Sequence, residues 1–256
     1  MKKHCSINPL QNKTVLLIEH LKQLIEFGIE FVFPTQCVAC KIYKQGVICH
    51  ECRTSLENIR PESFMSRKPS EDWEIEDTLK SRTYLEKVYY FYYYNNVIHS
   101  LIAEIKYAGR TKLIKYVIDL ILQSREFHKI NFTDIQFITF VPLHKDKAAI
   151  RGFNQSELLA QELSRILNIP CIQILEKHKS TKNQADLDRK ERLTNLENAF
   201  SINSNLTKNL DTNKILIVDD ICSTGTTLNE CAKTIKKFYP NTKIYGLCLA
   251  RGKPNS

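Results

Sequence analysis

The most informative segment of this chain reads Ile215-Leu216-Ile217-Val218-Asp219-Asp220-Ile221-Cys222-Ser223-Thr224-Gly225-Thr226-Thr227. Four apolar residues predict a buried strand, and two adjacent carboxylates lie at its carboxyl end. A hydroxyl-rich loop with one glycine then leads into a predicted helix over Thr226–Phe238. In a doubly wound parallel sheet, ligands bind at the carboxyl ends of the strands. The segment therefore predicts an α/β fold and the edge of the sheet that binds a ligand.

The same residue types indicate a ligand class. Backbone N–H groups at a helix start, together with the hydroxyls of Ser223–Thr227, suit a monoester phosphate. Asp219 and Asp220 can hold vicinal ribose hydroxyls and help retain Mg²⁺. The alternative is an ordinary helix cap with acids that favour the helix dipole. Capping explains one or two hydroxyls, so we favour a ribose 5-phosphate ligand.

Short apolar strands alternate with helical patterns over most of the chain, which predicts a parallel sheet with crossover helices. An aromatic run at Tyr89–Tyr94 predicts a half-buried strand, and its rings could alternatively stack nucleic-acid bases. Residues 142–154 are interpreted as a polar loop. The other predicted strands are Phe137–Val141, Cys171–Leu175, Ile215–Val218 and Lys243–Ala250, and the other predicted helices are Val97–Tyr107, Leu113–Leu122 and Ser156–Leu167.

Four of the nine cysteines form two pairs, Cys37-x-x-Cys40 and Cys49-x-x-Cys52. Two such knuckles can complete a tetrahedral thiolate site, so we predict structural Zn²⁺. Redox-active disulfide pairs are the alternative. His50 lies between two of these cysteines and can replace one thiol, but a supporting or solvated position is favoured. Ahead of this module, apolar spacing over 14–33 predicts an amphipathic helix.

The formal charge of +9 is concentrated in residues 101–256, which contain 24 basic and 16 acidic side chains. This surplus favours anionic partners such as phosphates or nucleic acid, and solubility alone explains it equally well. No apolar run is long enough to predict a membrane span, and no secretory signal is evident. We therefore expect a cytoplasmic protein.

Further motifs carry a resemblance to a known family. They are Val141-Pro142-Leu143-His144, Arg151-Gly152-Phe153-Asn154-Gln155-Ser156, Gln184-x-x-Leu187, Arg192-x-x-Asn195 and Ala199-Phe200. Together with the four cysteines, they resemble the ComF/GntX (competence protein F-like) family over roughly residues 31–251. The segment 215–227 resembles the phosphoribosyl pyrophosphate (PRPP) motif of type I phosphoribosyltransferases.

This resemblance implies a type I phosphoribosyltransferase-like fold over 89–256. It is preceded by a tail and helix (1–33), a zinc module (34–58) and an acidic linker (59–88). By analogy, His144, Lys145 and Arg151 face the pyrophosphate, although Lys145 is equally compatible with a plain surface position. A hood loop over 177–192 would contribute Arg189 and Arg192. The family often has arginine where this chain has Lys177 and Lys179, which loses bidentate phosphate geometry.

Two functions are compatible with this resemblance. The first is PRPP and Mg²⁺ binding with phosphoribosyl transfer to an acceptor that no residue identifies, linked to DNA uptake (competence). The alternative is a non-catalytic factor that handles single-stranded DNA alongside competence or recombination proteins. A lysine ridge on the last helix, Lys233, Lys236 and Lys237, would then contact phosphates. Glutamine amidotransferase activity is disfavoured because no N-terminal catalytic cysteine is evident.

Overall fold

The computed structural model describes residues 36–43, 46–57, 83–179, 196, 198–203 and 213–252. The helix expected at 14–33, the linker over 59–82 and the hood arginines Arg189 and Arg192 lie outside these residues. The chain divides into two compact units, residues 1–54 and 55–256. The described helices are too short or too polar to cross a membrane.

Six strands and six α-helices make up the described part of the chain. The strands are β1 (Lys87–Tyr93), β2 (Phe137–Phe140), β3 (Leu175–Lys177), β4 (Phe200–Ile202), β5 (Lys214–Cys222) and β6 (Lys243–Arg251). The helices are α1 (His50–Glu57), α2 (Asn96–Ala108), α3 (Leu113–Gln123), α4 (Lys145–Arg151), α5 (Gln155–Leu167) and α6 (Thr226–Phe238). A single 3₁₀ turn spans Phe127–Lys129.

The predicted parallel sheet is confirmed. Four strands lie in the order β1-β6-β5-β2, and every neighbouring pair is parallel. Residues 215–218 of β5 are completely buried, so both faces of this central strand are covered. Helix α6 approaches the sheet closely at Gly246, where an added Cβ would lie 3.1 Å from Leu228 and 3.2 Å from Val88.

Three predicted boundaries were wrong. Part of the expected loop 142–154 forms α4, because His144 caps its start and Gly152, at φ 79°, ends it. The expected strand 171–175 contributes only a bridge from Cys171 to Ile138, and β3 then pairs antiparallel with β4. Strand β5 continues through both aspartates because its last residues still pair with β6.

Candidate functional site

The adjacent carboxylates of β5 have different partners. Asp219 Oδ1 accepts a hydrogen bond of 2.7 Å from Ser156 Oγ at the start of α5. The Asp220 carboxylate forms an ion pair with Lys106 Nζ near the end of α2. Successive residues of a strand point to opposite faces, which explains why the two acids meet different helices. The site is therefore assembled from α2, α5 and β5.

The two carboxylates have pKa values shifted in opposite directions. Burial raises the pKa of Asp219 to about 7, and the charge of Asp220 adds to this rise. Burial also opposes ionisation of Asp220, but the ammonium of Lys106 outweighs it and lowers the pKa of Asp220. Such a divergence is common where two acids share a ligand-binding site.

Four cations, Lys106, Lys147, Arg151 and Lys177, lie close enough to the acidic pair or to one another for their charges to interact. Burial lowers the pKa of Lys147, and the charges of Arg151 and Lys106 lower it further. Burial likewise lowers the pKa of Lys177, with a contribution from Lys147. Burial would also lower the pKa of Lys106, but the charge of Asp220 reverses the direction and raises it. A cluster of like charges of this kind is suited to binding a polyanion.

The segment Arg151–Ser156 positions several parts of the site at once. Asn154 caps α5 by accepting from the Ser156 amide at 3.1 Å, and its own amide group donates to the Val141 carbonyl at 3.0 Å. Arg151 donates to Gln155 Oε1 at 2.6 Å. The caps fix where α4 ends and α5 begins, and thus where Ser156 meets Asp219.

Arg151 and Lys145 differ in how far they are exposed to solvent. The Arg151 guanidinium lies 5.8 Å from the ring centroid of Tyr107, which is 81% exposed. Lys145 is exposed on the first turn of α4. Of the cations predicted to face a pyrophosphate, Arg151 is therefore the one that the structure places beside Lys106 and Lys147.

His144 has a structural role, capping α4, that was not predicted from the sequence. Its ring is buried, and Nδ1 accepts from the Asp146 amide at 3.3 Å at the start of α4. Its Nε2 lies 3.2 Å from the His178 carbonyl, as expected for a donated hydrogen bond. Both ring nitrogens are thus engaged within the protein, and we do not include His144 among the ligand-binding residues.

The loop Ser223–Thr227 leaves the start of α6 without a side-chain cap. The N-cap residue is Gly225 at φ 74°, and no side chain there accepts from the first turn. Thr224 Oγ1 and Thr226 Oγ1 instead lie 2.8 Å apart and hydrogen-bond to each other. The N-cap residue of this helix therefore does not supply the side-chain cap that the alternative interpretation expects. Its N–H groups and the helix dipole are suited to a phosphate.

The four predicted zinc ligands are brought together in the first unit. The sulfurs of Cys37, Cys40, Cys49 and Cys52 all lie within 4.8 Å of one another. Cys40 Sγ and Cys49 Sγ are 3.8 Å apart. A tetrahedron with Zn–S bonds of about 2.3 Å has edges of about 3.8 Å, so the cluster fits a metal ion such as Zn²⁺.

Backbone N–H groups favour the thiolate form of one of the four cysteines, Cys37. Burial alone would raise the pKa of Cys37, but N–H groups of residues 39, 40 and 49 outweigh it and hold this pKa at about 6. Burial raises the pKa of Cys52, and the other thiols add to this. A bound cation would relieve the cost of collecting four negative charges.

The lysine ridge proposed for α6 is only partly available. Lys233 forms an ion pair of 2.9 Å with Glu230, and Lys236 donates to the Pro240 carbonyl at 3.4 Å. Lys237 is exposed. The structure therefore does not present these three side chains as one uniform row of solvated cations.

Comparison with known proteins agrees with this arrangement. A phosphoribosyl transferase domain model matches residues 154–254. Competence protein F of Haemophilus influenzae is 40% identical over 113 residues, which are 43% of this chain and 48% of that protein. Competence protein ComFC of Bacillus subtilis is 27% identical over 80% of this chain and 84% of its own length.

A third relative is similar over about two thirds of its own length. DNA utilization protein YhgH of Salmonella typhimurium is 30% identical over 160 residues, which are 60% of this chain and 68% of that protein. The chain belongs to the ComF family. It combines a phosphoribosyltransferase-like parallel sheet with a four-cysteine cluster that can hold a metal ion. The Haemophilus protein is matched over only about half its length, so its function does not transfer directly.

Sequence reasoning on this ComF-family chain missed Lys106. The signal was present but weak: Lys106 follows Ile102 by four residues and therefore lies beside the buried apolar stripe of α2. A lysine at such a position needs a nearby anion, because its ammonium is drawn into the protein. The sequence does not show that this anion is Asp220, 114 positions later.

Proposed function

We propose that this protein binds PRPP, with Mg²⁺, at the carboxyl end of β5. The observation that carries the proposal is the uncapped start of α6 beside Asp219 and Asp220. The 5-phosphate would lie on the loop Ser223–Thr227 and the ribose hydroxyls on the two carboxylates. Lys147, Arg151 and Lys177 would neutralise the pyrophosphate. Asp219 and Asp220 would help to retain Mg²⁺, which when bound would stabilise negative charge on the leaving group.

We further propose that the bound PRPP is a phosphoribosyl donor. In the transfer, the bond from ribose C1 to the pyrophosphate oxygen breaks, and its electron pair leaves with pyrophosphate. A nucleophile then forms the new bond to C1. This chain would contribute by holding the ribose in place and by stabilising charge on the leaving group. The acceptor is not assigned.

The proposed cellular role is in DNA uptake, because the relatives are named competence proteins and DNA utilization proteins. A cytoplasmic location is part of this proposal, since a four-thiolate cluster needs a reducing compartment or a bound metal. A non-catalytic role in handling single-stranded DNA is the second candidate, and the same names favour it.

The test is calorimetric titration of PRPP with Mg²⁺ into zinc-loaded protein. We expect binding by the wild type and none by the double variant Asp219→Asn/Asp220→Asn. Asp119→Asn, an exposed carboxylate on α3, is the matched control and should bind as the wild type does. Because the double variant removes the partner of Lys106, its fold must be checked by circular dichroism.

A second variant avoids this risk of misfolding. Thr226→Val keeps the size of the side chain, removes one hydroxyl together with its hydrogen bond to Thr224, and leaves the ion pair of Lys106 with Asp220 in place. It should weaken PRPP at least tenfold. Unchanged affinity in both the double variant and Thr226→Val would refute the proposed site.

A further inference from the structure

A second candidate site lies at the opposite edge of the sheet from Asp219 and Asp220. It is an open cavity of about 240 Å³ near the amino ends of β1, β5 and β6. Tyr89, Tyr245 and Phe132 supply aromatic walls, Leu216 lies at the base, and Lys129 and Lys214 supply cations. We call these six residues the tyrosine pocket.

The parallel strands bring the two tyrosines together. Lys87 of β1 is in register with Tyr245 of β6, and Tyr89 lies two residues further along, on the same face. The ring centroids of Tyr89 and Tyr245 are 6.3 Å apart, and their planes differ by only 14°. Both rings are half-buried. They therefore form a nearly parallel aromatic wall that remains accessible from the cavity.

The facing wall is held in place by core aromatics. The Phe132 ring lies 5.2 Å from the ring of Phe127, and Phe127 in turn lies 6.2 Å from Phe91 of β1. Both Phe127 and Phe91 are buried. This chain of rings ties the wall to the sheet, so the cavity is formed before any ligand binds.

Cations lie near the tyrosine pocket. Lys87 Nζ is 5.0 Å from the Tyr89 ring centroid. The Lys129 side chain is 56% exposed and 3.5 Å from Glu126, and Lys214 forms an ion pair with Asp134. Glu126 is largely buried, so the ammonium of Lys129 is the more exposed member of its pair and can reach a phosphate in solvent. The pocket therefore offers flat rings inside and ammonium groups around its mouth.

We propose that the tyrosine pocket binds one unstacked base of a single-stranded nucleic acid. The base stacks on the tyrosine wall, and the flanking phosphates contact Lys87 and Lys129. Stacking on aromatic rings with cations along the backbone is how proteins bind single strands without reading sequence. A duplex keeps its bases stacked on one another and cannot insert one. This inference extends the DNA-handling role and is independent of the PRPP site.

Fluorescence anisotropy with a labelled oligothymidylate of ~20 nucleotides tests the proposal. Tyr89→Leu and Tyr245→Leu should each weaken binding by between about fivefold and a hundredfold, as expected for the loss of one stacked base. Phe238→Leu removes an aromatic ring that is 62% exposed on α6, and this control should bind as the wild type does. PRPP titrations of the tyrosine variants should be unchanged, which separates this proposal from the previous one.

Two further arms do not depend on substitutions within the packed rings. The wild type should bind an abasic oligomer of the same length as weakly as Tyr245→Leu binds oligothymidylate. Lys129→Gln should reduce the slope of log affinity against log salt by about 0.7, as expected for one lost phosphate contact. Equal binding of abasic and thymidylate oligomers, equal binding of duplex DNA, or unchanged affinity in both tyrosine variants would overturn the proposal.

Discussion

The ion pair between Lys106 and Asp220 makes a measurable contribution to stability. Asp220 is 4% exposed, and the Lys106 side chain is 21% exposed. Lys106→Gln leaves a buried carboxylate beside a second carboxylate without its cation. Removing one partner of a buried pair costs about 3–5 kcal/mol. Because one fifth of the lysine side chain reaches solvent, we expect the lower end, about 3 kcal/mol at neutral pH.

The loss should depend on pH with a definite sign. In the wild type the pKa of Asp220 is lowered, so its stabilisation is present above the unfolded value of about 3.9 and disappears as pH falls through the folded value. In Lys106→Gln, burial instead raises this pKa. The variant should therefore be weakest relative to wild type at neutral pH and approach it as pH falls towards about 3.

Urea unfolding at a series of pH values measures this effect, and thermal unfolding should show a decrease of about 6–12 °C near neutral pH. Lys106→Gln/Asp220→Asn is the matched control, because it removes both charges and should recover about 2 kcal/mol relative to the sum of the single variants. If the single changes add within about 0.5 kcal/mol, the two groups do not interact and the reasoning is refuted.

Three other outcomes follow from the structure. Burial raises the pKa of Asp219 to about 7, so this group makes the wild type less stable as pH rises from about 4 to 7. Asp219→Asn should therefore gain stability relative to the wild type between about pH 4 and pH 7 in urea unfolding, and a difference that does not change with pH would contradict the shift. Asn154→Ala removes the cap of α5 and the hydrogen-bond donor to the buried Val141 carbonyl. Calorimetry should show that the free energy of unfolding falls by about 2–3 kcal/mol. A decrease below about 0.5 kcal/mol would show that neither hydrogen bond contributes to stability. Elemental analysis of the purified protein should find one zinc ion per chain. Cys40→Ser should lower this zinc content. If the variant retained all of its zinc, a site with four sulfur ligands would be contradicted.

Local sequence signals predicted most of the fold, because the strands of this sheet are short runs of apolar and aromatic residues. The helix ending at Gly109 was predictable for a similar reason: glycine readily adopts the left-handed backbone that ends α2, at φ 66°. Helix α4 was missed because its sequence, Lys145–Arg151, has no apolar stripe and no buried residue. Its start depends on a histidine cap, which composition does not reveal.

The candidate site was predictable where its residues are neighbours in sequence and unpredictable where they are not. Asp219, Asp220 and the loop Ser223–Thr227 form one contiguous motif. The ion pair with Lys106 depends on packing between α2 and the sheet. The burial of His144 and its contact with the His178 carbonyl also depend on tertiary packing, as does the position of Lys147 beside Lys106.

Residues 154–254, which match the phosphoribosyl transferase domain model, should not fold on their own. A fragment with those limits would omit β1 and β2, the two outer strands of the four-stranded sheet. It would also omit Lys106, so Asp220 would lose the cation with which it pairs. The remaining strands, β5 and β6, would each have an open edge that can pair with other chains. Expression of that fragment alone should therefore give aggregates, and productive truncations of this protein should begin before β1.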